Sequence, residues 1–74
     1  MKVYVTRVSG RNTVDGVFAT LSALIRGLAE SGRVSKQFAE GTAAQFTNHS
    51  MVTIETRGFS PYNLIIQEME LIED

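Results

Sequence analysis

Cysteine is absent from this chain, and histidine occurs once, as His49. The first absence excludes disulfides as a source of stability. Together they argue against a structural zinc site, which draws its ligands mainly from Cys and His. No apolar run approaches the roughly 20 residues that span a bilayer, so no membrane-spanning helix is expected. The start, Met1-Lys2-Val3-Tyr4-Val5, lacks the long apolar stretch of a signal peptide. A Cys-free chain without an export signal points to the cytoplasm. Asn48-His49-Ser50 matches the glycosylation sequon and reads as a chance match in such a setting.

Basic residues are scarce in the second half. Residues 1–36 hold six of the seven (Lys2, Arg7, Arg11, Arg26, Arg33, Lys36) and two acids, Asp15 and Glu30. Residues 37–74 hold one, Arg57, against six acids: Glu40, Glu55, Glu68, Glu70, Glu73 and Asp74. The halves carry +4 and −5, which gives the net charge of −1. Such a chain either has a dipolar surface or neutralises itself across the fold or across a dimer.

Residues 1–74 are long enough for one domain and no more. At this size a single core supplies only about 3–5 kcal/mol of net stability. With disulfides and metal set aside, tight packing and self-association remain. The apolar content, 43%, suits a folded domain. There is no internal repeat and no low-complexity tract.

Lys2–Val8 alternates and is rich in β-branched residues, which predicts a strand. Val3 and Val5 point one way, and Tyr4, Thr6 and Val8 the other. Ser9-Gly10-Arg11-Asn12 breaks it. Asn12 or Thr13 then suits the cap of a helix. Val14, Phe18, Leu21, Ile25 and Leu28 follow at spacings of 4, 3, 4 and 3, with Val17 and Leu24 widening the stripe. This predicts one amphipathic helix of about five turns. Ser31-Gly32 ends it with a left-handed cap. Within 34–49, Ser35 suits the cap of a second helix whose face holds Phe38, Ala39, Thr42, Ala43 and Phe46. A hairpin turning at Glu40-Gly41 is the alternative.

Met51–Arg57 alternates again, with Val52, Ile54 and Thr56 on one face. Gly58-Phe59-Ser60-Pro61-Tyr62-Asn63 is a turn-rich loop. Leu64–Ile72 is a last strand, and the final two strands make an antiparallel hairpin. The expected fold is α+β: a small two-layer sandwich with a three-stranded, mostly antiparallel sheet. Its order is β-α-(α)-β-β, with one long helix packed on one face. The bare face would then carry Tyr4, Thr6, Thr53, Glu55, Arg57, Leu64, Ile66, Glu68 and Glu70.

No residue pattern supplies chemistry. Ser9-Gly10-Arg11-Asn12-Thr13 would be an anion site if a helix followed, but it carries neither a Walker A nor a dinucleotide fingerprint. His49 has no nucleophile at a suggestive spacing, and no carboxylates pair on one rigid element. The basic residues of the first half suggest phosphate binding, which the overall pI of about 5.7 opposes. The acidic run from Glu68 to Asp74 guards an edge or meets a basic partner. No catalytic residue, metal or cofactor is expected. In format the chain is similar to the small inhibitors and regulators encoded by phages and other mobile elements, such as anti-CRISPRs or inhibitors of host enzymes. That likeness implies a non-catalytic protein that occludes a partner protein's surface. The expected contact residues are Tyr4, Arg7, Arg11, Arg26, Glu55, Arg57, Phe59, Tyr62, Ile66, Glu68 and Glu70. A small nucleic-acid binder and a homo-oligomeric subunit, including a homodimer, are the alternatives. No membrane partner is expected.

Overall fold

The computed structural model describes residues 1–72. Strand β1 (Lys2–Val8) forms as its alternation predicts and turns at Ser9–Arg11. Arg11 N–H donates to Val8 O at 3.1 Å, and Gly10 takes φ +86°, a conformation open to glycine at little cost. The chain then returns as a strand, β2 (Val14–Phe18).

This corrects the single five-turn helix. Val14, Val17 and Phe18 fit the apolar spacing of the residues that follow, but two β-branched residues around Gly16 favour extended backbone. Pairing with β1 decides the matter. Neither Asn12 nor Thr13 caps a helix, and the 9–13 segment is a hairpin turn rather than a helix N-terminus.

The helix proper, α1 (Leu21–Glu30), is capped by Thr20, whose Oγ1 accepts from Ala23 N–H at 3.1 Å. It buries Leu24 and Leu28. It ends where expected: Gly32 has φ +76°, and its N–H donates to Ala29 O at 3.2 Å. Helix α2 (Lys36–Ala44) begins at Ser35, whose Oγ accepts from Phe38 N–H at 3.1 Å. The hairpin alternative for 34–49 is not what forms. One 3-10 turn, Gln45–Thr47, leads toward β3 (Met51–Glu55), and β4 (Asn63–Glu70) closes the fold.

The sheet has four strands rather than three, in the order β2-β1-β4-β3, and each neighbouring pair is antiparallel. Both helices lie on one face. The core between the layers holds Tyr4, Leu24, Leu28, Val34, Ala39, Phe46, Val52, Ile54, Leu64 and Ile66. Tyr4 and Phe46 meet edge to face, with ring centroids 5.3 Å apart.

The bare-face assignment is inverted for two strands. Tyr4, Thr6, Leu64 and Ile66 are buried beneath the helices, not exposed. Alternation defines two faces without saying which one turns inward. In β1 and β4 both faces carry apolar residues, and packing against the helix layer selects the face of Tyr4, Leu64 and Ile66 as the inner one. β3 has polar residues on one face, and there Val52, Ile54 and Thr56 are buried as expected. Phe38, grouped with the core face of α2, stands at its margin and is half exposed.

Candidate interaction surface

The register shows what the uncovered sheet face presents. Val17 stands opposite Val5, Val5 opposite Gln67, and Gln67 opposite Met51, which makes one row across all four strands. The next row is Val14, Arg7, Ile65 and Thr53, and Val3 pairs with Met69 beyond the other side. Val14, Val17 and Met51 are each more than half exposed. Among the described residues no helix covers this face. Seven apolar side chains (Val3, Val5, Val14, Val17, Met51, Ile65 and Met69) therefore line it, with Arg7 and Glu55 as its charged members. Alternating strands with one wet face ordinarily place polar residues there.

The expected contact residues are dispersed by the fold. Arg7 and Glu55 lie on the open face. Tyr4 and Ile66 lie in the core and present no surface. Arg11 is exposed in the β1–β2 turn, and Arg26 is exposed on α1, in the layer on the other side of the sheet from Arg7. Arg57 follows β3 and is exposed. Phe59 is fully exposed at the loop tip, whereas Tyr62 packs against the core. Thr56 closes the base of that loop: its N–H donates to Tyr62 O at 2.9 Å, and its Oγ1 accepts from Tyr62 N–H at 3.1 Å.

The charge asymmetry is partly neutralised within the fold. β1 and β4 run antiparallel with Lys2 opposite Glu70, which brings the start of β1 beside the end of β4. Lys2 Nζ lies 3.3 Å from Glu68, and the terminal ammonium lies 2.7 Å from Glu70. That ammonium holds the Glu70 carboxyl below its usual range. Glu73 and Asp74, the end of the acidic run, lie outside the described residues.

Arg33 is likewise engaged. β2 carries one extra residue against β1, since Thr6 faces Gly16 and Arg7 faces Val14. The bulged residue, Asp15, pairs with Arg33 through both carboxylate oxygens, one contact being 2.8 Å, and Thr6 Oγ1 donates to it at 3.3 Å. The hydrogen-bonded guanidinium lowers the Asp15 pKa, against a smaller opposing effect of burial. The pair ties the β1–β2 hairpin to the α1–α2 connection. It reads as a structural clamp.

Burial raises the Tyr4 phenol above its ordinary value, and the adjacent Glu68 carboxylate adds to the effect. The helix layer carries an open groove of about 540 Å³ between α1 and Lys36, lined also by Ile25, Arg26 and Glu30. It holds charges of both signs, Arg26 and Lys36 against Glu30, beside the Ser22 side chain. Among the described residues no helix is long and apolar enough to cross a membrane.

The apolar members of the open face were not among the expected contacts. The signal available in the sequence was the apolar content of both faces of β1 and β4. No protein-family model, curated protein or solved structure matches this chain.

Proposed function

We propose that this chain is a non-catalytic protein-binding regulator or inhibitor that docks through the open sheet face and occludes its partner's surface. The observation that carries this reading is the apolar, uncovered face around Val5, Val17, Ile65 and Met69. Leaving such a patch in water forgoes burial at roughly 25 cal/mol per Å², and contiguous exposed apolar patches mark interaction sites. The partner suited to this face is a flat, largely uncharged protein surface. Arg7 and Glu55 at one end supply the polar rim that fixes orientation. The nucleic-acid alternative draws less support, because Lys2 and Arg33 are already paired with acids.

The test is capture from native lysate, with nuclease present, by wild type and by V17K and M69K variants. Both positions are exposed, so the fold should be retained, as circular dichroism would verify. A protein retained by the wild type and lost by both variants supports the reading. Equal capture by all three, or capture that vanishes with nuclease, refutes it.

A further inference from the structure

Among the described residues, the backbone of β3 hydrogen-bonds on one side only. Ser50 O accepts from Glu68 N–H at 2.8 Å, and Thr56 N–H donates to Tyr62 O. Between them Val52 faces Ile66 and Ile54 faces Leu64. Bonding in an antiparallel pair alternates along the strand. The even-numbered residues therefore turn their amides toward β4, and Met51, Thr53 and Glu55 turn theirs outward. β3 is the last strand of the sheet. Its free edge ends at Arg57, whose N–H donates to Arg33 O at 2.9 Å. The other edge strand, β2, is broken by its bulge at Asp15. Met51–Glu55 has no bulge, proline or lysine to blunt the edge, and its one charged side chain, Glu55, stands at its end.

Beside this edge runs the outer flank of α2. Phe38, Gly41, Thr42 and Gln45 recur there at helical spacing and line an open hollow of about 410 Å³. None of them is charged. With Val34, Glu55 and Arg57, Phe38 also lines a smaller hollow of about 190 Å³ that joins the flank to the end of β3. A Cβ added to Gly41 would meet nothing within 4 Å, so the helix backbone there is open to close approach.

We propose that this edge and this flank together form the interface of a two-fold dimer of the chain. An axis normal to the sheet at Thr53 runs β3 antiparallel to its copy, with Thr53 opposite Thr53 and Met51 opposite Glu55 of the second copy. About six backbone hydrogen bonds then join the copies, and the two sheets become one. The same axis sets the two α2 helices side by side and antiparallel. Each Phe38 faces the hollow over Gly41 and Gln45 of the other copy. An extended peptide would satisfy the strand edge and leave the helix flank uncovered. A partner that offers a strand edge and a helix flank in this same relation covers both, and the chain itself is such a partner. This interface is separate from the open face and does not depend on it.

Sedimentation velocity between about 1 and 200 μM, the range in which a micromolar dimer assembles, reads the outcome. The mass of the wild type should rise from 8.2 kDa to twice that value. T53P removes an outward amide without touching the β4 ladder, and F38E places a charge on the flank. Each should move the midpoint at least tenfold to higher concentration, while V17K on the open face leaves it unchanged. Amide exchange supplies a readout without mutation: the Thr53 and Glu55 amides should slow as the dimer forms. A wild type that stays at 8.2 kDa throughout overturns the proposal. So does a dimer that V17K dissolves while T53P and F38E leave it intact, or one in which those two amides exchange as fast as in the monomer. Partner capture lost in V17K with dimerisation intact would separate this proposal from the docking reading.

Discussion

A Cβ placed on Gly27 would lie 2.5 Å from Cε1 of Phe18. The same ring approaches Gly16, where a Cβ would lie 3.2 Å from Cε2. Phe18, at the end of β2, therefore packs against the backbone of α1 at the one point where that helix has no side chain. The missing Cβ sets how closely the hairpin and the helix approach.

Gly27→Ala should accordingly destabilise the protein. In an exposed helix the change would stabilise by about 1 kcal/mol. Here displacing the ring costs about 1–3 kcal/mol, and the expected net loss is about 1 kcal/mol. Urea unfolding measures it. In an F18L background the same change should turn favourable. A stabilising G27A in the wild-type background would show that the contact is not constraining.

The start of α1 is testable by its caps. Thr20→Ala and Ser35→Ala should each cost about 1 kcal/mol, because each strands an amide at a helix N-terminus. Asn12→Ala and Thr13→Ala should stay within about 0.5 kcal/mol, as surface changes that cap nothing. Thermal unfolding of the four variants distinguishes a helix that begins at Leu21 from one that begins near Val14.

The Asp15–Arg33 clamp makes stability pH-dependent. The Asp15 carboxyl has a lowered pKa in the fold and titrates near its ordinary value, 3.8, in the unfolded chain. A depressed carboxyl contributes stability that is present above the unfolded value and lost as pH falls through the folded one. Arg33, raised further by the same pair, stays charged throughout this range. At neutral pH, Asp15→Asn should cost about 1 kcal/mol, a modest amount for a pair that solvent still reaches. The gap from wild type should close on acidification below about pH 4. A gap independent of pH would mean that the charge of Asp15 contributes nothing.

Tyr4 produces the opposite limb. Its phenol is raised by burial and by Glu68, so the folded protein holds that proton longer than the unfolded chain. The stability this contributes is present below the unfolded value, 10.0, and is lost as pH rises through the folded one. Tyr4→Phe should flatten the alkaline decline in stability shown by the wild type. Unfolding curves across the alkaline range compare the two.

The termini of α1 and α2 show how much was legible locally. Ser35 and Gly32 act within one turn of themselves, through a side-chain acceptor and a positive φ, so their roles could be read from neighbouring residues alone. The same holds for the alternation of β1, β3 and β4, which is a property of each strand. The apolar spacing of Val14–Phe18 suits a helix as well as a strand, and the choice between them rests on pairing with β1. The inward face of β1 is settled in a related way: both of its sides carry apolar residues, and only the layer packed on Tyr4 makes one of them the inside. The surface follows from that choice. The sequence by itself determined which segments would be extended or helical at most positions, where they would stop, and that the two halves would carry opposite charge. The tertiary structure decided which strands became neighbours, that Lys2 and the terminal ammonium would meet Glu68 and Glu70, and that an apolar sheet face and the β3 edge would remain uncovered. Local propensity acts over a few residues, whereas burial and pairing depend on segments that only the folded chain brings together.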